Sequence, residues 1–344
     1  MKIFYAVQAT GNGHISRAME ILPHLNQYGK VDLFLSGANS TLQLDAPVKY
    51  RSKGVCFFYN SSGSLHYLQT VKKFTPLRVI KEARDLPVEK YDLIINDFEC
   101  ITSLACAIKK VPSVNFGHQA SFQSKKVPRP NQKSLLGEFV LRHYAHASQY
   151  IGLHFKRYDD FILPPVIKKN ILSADPKDRG HITVYLPSFS DKVVSQYLSP
   201  LKDFQFEVFS KEIKQPLRQE NILFIPVDKD KFNESLIHCH GIISNSGFET
   251  PAETLYLGKK LLVIPIRGQY EQVCNATALE EMGVQKINSL NENFADVFAN
   301  WINEKPKIDF SCDHSTESII GFLMQHAKKN KRAALELPYP ELAF

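Results

Sequence analysis

A histidine at a turn between a predicted strand and a predicted helix is the first residue whose setting points to chemistry. The run Gly11-Asn12-Gly13-His14 follows a short apolar stretch, and apolar residues at helical spacing begin directly after it. Glycines allow the backbone to turn tightly between a strand and a helix. A histidine at such a turn can take a proton from a hydroxyl group near neutral pH. The alternative is an ordinary tight turn that carries an incidental histidine.

The same run could belong to a dinucleotide-binding fingerprint of the form G-x-G-x-x-G. Ser16 stands where the third glycine is required, and the second predicted strand ends in Ser36 and Gly37 rather than in an acidic residue. The fingerprint needs the third glycine for close helix packing and the acidic residue for the ribose. Both departures argue against a nicotinamide cofactor.

A second polar turn, Ser244 to Gly247, precedes a predicted helix in the other half of the chain. Thr250 is a favourable N-cap residue and Pro251 suits the first helical position. The start of this helix would then offer free N–H groups and the positive end of its dipole to a phosphate. Glu253, three residues after Thr250, could instead close a capping box.

A Glu-Gln pair, Glu271 and Gln272, follows the strand-like run LLVIP. Carboxylate and amide groups can bind sugar hydroxyls by two hydrogen bonds at once. The alternative is an exposed polar loop. In open α/β sheets, ligands bind beyond the carboxyl ends of the strands. Since both polar turns and this pair follow predicted strands, the sequence predicts a ligand site there.

Strands alternate with helices along the whole chain, which predicts parallel sheets covered by helices. Pro164-Pro165 interrupts the pattern, because proline cannot continue a helix and stiffens a linker. We therefore predict two α/β domains, residues 1–162 and 163–344, as the length of 344 residues also favours. The predicted strands include KIFYAV, VDLFLSG, YDLIIND and VPSVNFG, then HITVYLPSF, FQFEVFS, NILFIPV, GIISNSG and KLLVIPI.

Composition excludes several classes of protein. Hydrophobic residues make up 44% and charged residues 22%, which is ordinary globular usage and rules out disordered or collagen-like chains. No apolar run approaches the roughly 18 to 20 residues that span a bilayer. The six cysteines form no CxxC pair. We expect buried thiols in a reducing cytoplasm rather than a disulfide framework.

Charge is unevenly divided between the two predicted domains. Residues 1–162 contain 21 basic and 12 acidic residues (+9), whereas residues 163–344 contain 21 and 23 (−2). The basic stretches Lys72 to Arg84 and Ser124 to Lys133 carry much of this surplus. The first interleaves apolar residues and could rest on an anionic membrane, or it could be an ordinary amphipathic surface helix. Neither stretch contains a recognised nucleic-acid motif, so nucleic acid is not an expected partner.

Two stretches together resemble the GT-B superfamily of nucleotide-sugar glycosyltransferases. They are GNGHISRAMEI and ISNSGFETPAETLYLGKKLLVIPIRGQYEQVCNA. The resemblance is greatest to the branch of the peptidoglycan lipid-linked N-acetylglucosaminyltransferase and the UDP-glucuronosyltransferase-like enzymes. It implies two Rossmann-like, doubly wound domains facing each other across a cleft. The N-terminal domain would bind the acceptor and the C-terminal domain the nucleotide sugar, with the last helices crossing back to the N-terminal domain.

The resemblance implies roles for residues at matching positions. His14 takes the place of the general base, and Asp97, at the end of LIIND, takes the place of the aspartate that orients it. The positions assigned to the nucleotide sugar are Gly13, Ser188, Ser246, Gly247, Glu253, Glu271 and Gln272.

Within that set, Ser246 and Gly247 would face the diphosphate and Glu253 would bind the ribose hydroxyls. Glu271 and Gln272 would hold the donor sugar.

His118 and Gln119 follow the strand SVNFG, face the cleft by position and are expected to contact the acceptor. Asp97 could instead cap the following helix, and Glu99 is the nearby alternative carboxylate.

The resulting expectation is an inverting hexosyltransferase that moves a sugar from a UDP-sugar to an acceptor hydroxyl, with His14 as base. No DxD pair ends a strand, and neither a metal nor a cofactor is expected, since the nucleotide sugar is itself a substrate. The acceptor would be a glycan, a lipid-linked molecule or a small molecule, and the protein would be cytoplasmic, on the inner face of the membrane. The alternatives are a nucleotide-sugar epimerase of the same fold and a non-catalytic sugar-nucleotide-binding protein.

Overall fold

The computed structural model describes residues 1–37, 44–54, 75–304 and 314–331, together with Ile308, Phe310 and Cys312. Of residues 328–331 it describes the backbone alone. Within these residues the chain forms two seven-stranded sheets with helices packed on them. The prediction of two Rossmann-like α/β domains is confirmed.

The first sheet is parallel throughout and has the strand order β3-β2-β1-β4-β5-β6-β7. Its strands are β1 (Lys2–Gln8), β2 (Lys30–Ser36), β3 (Val48–Ser52), β4 (Leu93–Asp97), β5 (Val114–Gly117), β6 (Gln149–Leu153) and β7 (Ile162–Leu163). The accompanying helices are α1 (Asn12–Asn26), α2 (Pro76–Asp85), α3 (Cys100–Lys109), α4 (Leu135–His143) and α5 (Lys169–Leu172), with 3-10 turns at Val88–Lys90 and Gln119–Gln123.

The second sheet has the order β10-β11-β9-β8-β12-β13-β14 and is parallel except for β10, which runs antiparallel to β11. Its strands are β8 (His181–Tyr185), β9 (Gln205–Ser210), β10 (Leu217–Gln219), β11 (Ile222–Pro226), β12 (Gly241–Ser244), β13 (Lys260–Val263) and β14 (Gln285–Lys286). Its helices are α6 (Asp191–Leu198), α7 (Lys229–His238), α8 (Glu249–Tyr256), α9 (Tyr270–Glu281) and α10 (Phe294–Asn303), followed by α11 (Thr316–Lys331).

Strand order reverses once in each sheet, and these two points position the site. In the first sheet the reversal lies between β1 and β4, and in the second between β8 and β12. Loops that leave such neighbours run in opposite directions and open a crevice at the carboxyl edge of the sheet. The polar turns after β1, β4, β8 and β12 therefore all border a crevice.

The core explains why the central strands appear in the sequence as unbroken apolar runs. Residues Ile3 to Val7 of β1 are fully buried, because helices cover both faces of the sheet. The last described helix, α11, packs on α1 and shares one hydrophobic cluster with it, to which Ile320 and Leu323 contribute from α11 and Ile15 from α1. The C-terminal part of the described chain is thereby joined to the first sheet.

The first basic stretch of the sequence analysis is only partly described. Residues 72–74 lie outside the described residues, and most of the remainder forms α2. This helix buries Val79 and Ala83 against the first sheet and exposes Leu77. Among the described residues, no helix combines the length and apolarity that crossing a bilayer requires.

Candidate active site

His14 and Asp97 meet where the strand order of the first sheet reverses. His14 lies in the first turn of α1, directly after β1, and Asp97 is the last residue of the neighbouring strand β4. His14 Nδ1 is 2.9 Å from Asp97 Oδ1. Asp97 is fully buried, whereas the His14 side chain is 14% exposed. A carboxylate that accepts from Nδ1–H holds the imidazole in the tautomer whose Nε2 can accept a proton.

Glu99, the alternative carboxylate, caps the helix that follows β4. It is the N-cap of α3, and its two carboxylate oxygens accept hydrogen bonds from the N–H groups of Ile101 and Thr102 at 2.9 and 2.6 Å. Burial raises the pKa of Glu99. The N-cap interpretation of Asp97 is therefore wrong, because Glu99 occupies that position.

Arg17, which the sequence analysis did not single out, completes the cluster. It lies one helical turn after His14, so both side chains project from the same face of α1. Arg17 Nη2 donates to both Asp97 carboxylate oxygens, at 2.7 and 2.9 Å, and Nη1 donates to Glu249 of α8. Burial alone would raise the pKa of Asp97, but Arg17 and His14 outweigh burial and hold this pKa below its usual value.

The lack of a side chain at Gly117 and at Gly13 leaves the space that the Asp97 and Glu249 carboxylates occupy. A Cβ atom on Gly117, which has a φ of +154°, would lie 2.8 Å from Asp97 Oδ1 and 3.2 Å from Arg17 Nη2. A Cβ atom on Gly13 would lie 2.6 Å from Glu249 Oε2. Gly13, predicted to face the nucleotide, thus lies against a carboxylate of the second half of the molecule.

The turn after β12 starts α8 two residues earlier than predicted. Phe248 is the N-cap, Glu249 is the first helical residue, and Thr250 lies within the helix, where its carbonyl oxygen accepts from Thr254 Oγ1 at 2.7 Å. The predicted Thr250 cap is therefore wrong. Phe248 makes no side-chain hydrogen bond to the first turn, where the N–H groups of a helix have no partner within the helix. Gly247 has open space where a Cβ would be.

Ser246 holds this turn to α9. Its hydroxyl donates to the carbonyl oxygen of Gln272 at 2.8 Å, and its own carbonyl accepts from Asn275 Nδ2 at 3.2 Å. Ser188, in the loop after β8, donates to Asn245 Oδ1 at 3.1 Å. The structure therefore brings Ser188 and Ser246 to one turn, with the Ser246 side chain fully buried.

Glu253 is buried without closing a capping box. Lys168 Nζ lies 3.0 Å from its Oε2, and Lys168 also donates to Asn233 Oδ1 at 2.8 Å. Oε1 of Glu253 has no hydrogen-bond partner among the described residues. Burial raises the pKa of Glu253, while Lys168 opposes that rise. Such a carboxylate retains the capacity to accept from further donors.

His118 has a different position from the one expected of an acceptor-binding residue. It is fully buried, with Nδ1 3.0 Å from the Leu153 carbonyl oxygen and Nε2 2.7 Å from Asn275 Oδ1. Its ring stacks on Phe248 at 4.0 Å and 8°. His118 thus lies in the contact between the two halves of the molecule, which we call the seam. Burial lowers the pKa of its imidazole.

The remaining predicted residues lie beside this seam. Gln119 Nε2, assigned to the acceptor, donates to Glu271 Oε1, assigned to the donor sugar, at 3.0 Å. Gln272 accepts from the N–H of Ile266 at 2.9 Å through Oε1. The predicted donor and acceptor residues are therefore in direct contact across the seam. Among the described residues, no group of three or more metal-ligating side chains could hold a metal ion.

Comparisons with known proteins agree with this architecture. The sequence profile of glycosyl transferase family 1 matches residues 1–306. No curated protein matches the chain in sequence.

Three similar solved structures each span nearly the whole chain. MurG of Acinetobacter baumannii is 15% identical, with a TM-score of 0.56 over 95% of this chain and 99% of that one. Arabidopsis thaliana UGT89C1, solved with UDP-L-rhamnose, is 12% identical, with a TM-score of 0.56 over 96% and 95%. A putative UDP-N-acetylglucosamine 2-epimerase from Listeria monocytogenes is 13% identical, with a TM-score of 0.58 over 96% and 97%. At these identities the likeness shows the GT-B fold.

Proposed function

Since the chain belongs to glycosyl transferase family 1, we propose that it is a glycosyltransferase that moves the sugar of a UDP-sugar to an acceptor hydroxyl with inversion. In this proposal His14 is the general base and no metal is required. The His14–Asp97 contact of 2.9 Å carries the proposal, because it supplies an oriented base at the edge of the crevice.

The start of α8 is proposed to bind the donor diphosphate. Open space at Gly247 and an N-cap that makes no side-chain hydrogen bond support this assignment. The free N–H groups and the helix dipole would stabilise the negative charge that grows on the leaving diphosphate. This stabilisation is why we propose that the reaction needs no metal.

His14 is proposed to take the acceptor's proton at Nε2 while Asp97 accepts from Nδ1–H and stabilises the imidazolium. The acceptor oxygen then forms a bond to the anomeric carbon from the face opposite the diphosphate. The bond between that carbon and the phosphate oxygen breaks, and the nucleoside diphosphate leaves with the electron pair. The anomeric configuration is therefore inverted.

Glu253 is proposed to bind the ribose of the donor. Its Oε1 has no hydrogen-bond partner among the described residues, Oε2 pairs with Lys168, and the two ribose hydroxyls are donors of the required kind. Glu271 and Gln272 are proposed to hold the sugar. That UGT89C1 was solved with UDP-L-rhamnose supports UDP as the carrier.

Replacing Glu253 by glutamine is expected to weaken binding of the cognate UDP-sugar about tenfold, because one charged acceptor for the ribose is lost. We would screen UDP-, GDP-, TDP- and ADP-sugars by thermal shift and calorimetry, with EDTA and with Mg²⁺. One UDP-sugar should bind wild type equally under both conditions. Glu292→Gln, at an exposed position of the same half, is the matched control. Failure of every nucleotide sugar to bind folded wild type would refute the donor site.

An epimerase remains the second candidate, since a protein described as a putative UDP-N-acetylglucosamine 2-epimerase has the same fold. Such an enzyme would convert the donor into a second nucleotide sugar without releasing UDP. Proton NMR of the donor during incubation distinguishes this outcome from transfer.

Membrane contact is proposed at α4 instead of α2. Leu135, Leu136 and Phe139 of α4 are 87%, 57% and 62% exposed. The exposed Lys125 and Lys126 precede them in the second basic stretch. An exposed apolar helix face that follows a basic stretch in the sequence matches an anionic bilayer surface, which would present a lipid-linked acceptor.

Phe139→Asp is expected to lower partitioning onto phosphatidylglycerol-containing vesicles about tenfold, because a large apolar side chain would no longer enter the interface. Co-sedimentation measures this, with neutral phosphatidylcholine vesicles for comparison. Leu77→Asp, at the 79%-exposed position of α2, should leave partitioning unchanged. Equal partitioning of Phe139→Asp and wild type would contradict the assignment to α4.

A further inference from the structure

One guanidinium group connects the base of the first half to the donor turn of the second. The Arg17 side chain is buried and contacts Asp97 on β4, Glu249 at the start of α8, and His14 one turn earlier in α1. Arg17 and Glu249 are 232 residues apart in sequence. Glu249 is the first residue of the helix whose start is the proposed diphosphate site.

Arg17 and Asp97 compete for the same nitrogen of His14. Nδ1 lies 3.0 Å from Arg17 Nη2, which can only donate, and 2.9 Å from Asp97 Oδ1, which accepts. When Nδ1 carries the proton, it donates to Asp97 and Nε2 is free to act as a base. When Nδ1 accepts from Arg17, the proton lies on Nε2 and the imidazole cannot take a proton from an acceptor at that atom.

The net charge around His14 follows from the ionised side chains that the described residues place there. Among the described residues, the titratable groups that interact with His14 or Arg17 are Asp97 from β4, Glu249 from α8 and the buried Tyr5 hydroxyl from β1. Two carboxylates and one guanidinium leave one net negative charge. Removing the Arg17 charge would leave two, and removing the Glu249 charge would leave none.

We infer that Arg17 is a positioning residue that sets the protonation and tautomer of His14, and that Glu249 links this setting to the donor helix. The inference rests on the proposed role of His14 as base. Glu249 holds Nη1 while Nη2 stays on both oxygens of Asp97, so the same guanidinium that contacts His14 Nδ1 is fixed from the donor helix.

Removing the charge of Arg17 and removing the charge of Glu249 should move the titration midpoint of His14 in opposite directions. Arg17→Met leaves the Asp97 carboxylate beside His14, and the Glu249 carboxylate, without the guanidinium that pairs with both, so the imidazole should bind a proton more readily and its NMR midpoint should rise. Glu249→Gln leaves Arg17 balanced by Asp97 alone, so His14 should titrate at lower pH. Arg17→Lys keeps the charge and should restore the wild-type midpoint while lowering kcat, because lysine lacks the planar fork that bridges both carboxylates.

NMR titration of protein with labelled histidine measures these midpoints without any substrate, with the His14 signal assigned through His14→Asn. Opposite displacements in Arg17→Met and Glu249→Gln support the inference, and no displacement or equal displacements overturn it. Arg179→Met, which breaks the exposed Arg179–Glu234 pair, should leave the midpoint unchanged. Because the titration needs no turnover, failure to find glycosyl transfer would refute the proposed function without touching this result.

A fourth variant covers the case in which Arg17→Met does not fold. Gly13→Ala adds a Cβ atom 2.6 Å from Glu249 Oε2 and forces that carboxylate away without changing any charge. Its midpoint should move in the same direction as that of Glu249→Gln. Where transfer is measurable, the acid limb of the kcat/KM profile should follow the NMR midpoint in every variant. An unchanged His14 midpoint in Gly13→Ala and Glu249→Gln would overturn the inference.

Discussion

Replacing His14 by alanine is expected to lower kcat by about two to four orders of magnitude while leaving donor affinity near its wild-type value. A positioned general base typically contributes roughly 10²- to 10⁴-fold to the rate. The proposed donor contacts lie on α8 and α9, whereas His14 lies on α1 of the first half. Steady-state kinetics gives kcat, and calorimetry gives the dissociation constant of the donor.

His24→Ala is the matched control for this prediction, because His24 lies in the last turn of the same helix, away from Asp97. Its kcat should remain within about a factor of three of wild type. If His14→Ala retained a comparable kcat, the base would be another group. If His14→Ala instead lost donor affinity alone, His14 would be a binding residue.

Replacing Asp97 by asparagine is expected to lower the free energy of unfolding by about 3 kcal/mol at pH 7. The substitution leaves the buried guanidinium of Arg17 with a single anionic partner, Glu249, and breaking a buried ion pair costs roughly 3–5 kcal/mol. Urea denaturation with linear extrapolation measures the loss. Activity should fall as well, since an amide does not enforce the required tautomer of His14.

The loss of unfolding free energy in Asp97→Asn should depend on pH, and its sign follows from the depressed pKa of Asp97. Because the pKa of Asp97 is depressed in the folded protein, its stabilising contribution is complete above the unfolded-state pKa of about 3.9. The contribution disappears as the pH falls through the lower folded-state value. The difference in stability between wild type and Asp97→Asn should therefore be constant near neutral pH and shrink below about pH 4.

Glu89→Gln provides the comparison, because Glu89 is half exposed and pairs with Lys109 at 2.8 Å on the surface. An exposed pair contributes about 0 to 1 kcal/mol. If Asp97→Asn destabilised the protein no more than Glu89→Gln does, the buried cluster would not be held together by its charges.

Much of the fold could be predicted because its central strands are buried on both faces. Ile3 to Val7 and Gly241 to Ser244 appear as short apolar runs for that reason. Four of the strands that the sequence analysis missed, β3, β7, β10 and β14, lie at sheet edges, whereas the fifth, β6, lies inside the first sheet and has five residues. Leu217–Gln219 is entirely exposed and Gln285–Lys286 has two residues, so neither carries a periodic pattern.

The resemblance to GT-B glycosyltransferases implies the pairing of His14 with Asp97, and the fold places the two together because β1 and β4 are neighbours at the reversal of strand order. Arg17 could not be found in this way. Three residues after His14 in a helix, it looks like an ordinary surface cation, and its partners come from β4 and α8. Its only local signal is a basic residue on the buried face of α1.

The start of α8 was misplaced because a tertiary contact overrides the local preference. Thr250 is the better N-cap by type, yet Phe248 takes that position while its ring stacks on His118 of the first half. Lys168 beside Glu253 is likewise a contact between distant segments. Neither contact leaves a periodicity or spacing in the sequence that could predict it.

Inversion by an oriented base without a metal is tested most directly by the first sugar anomer released from the donor. Water can replace the acceptor, so proton NMR can follow slow hydrolysis of the cognate α-linked UDP-sugar in EDTA before the sugar mutarotates. We predict that the β anomer appears first, together with an equal amount of UDP, and that His14→Ala slows its release. Release of the α anomer first, or cleavage only after a divalent metal is added, would contradict the account.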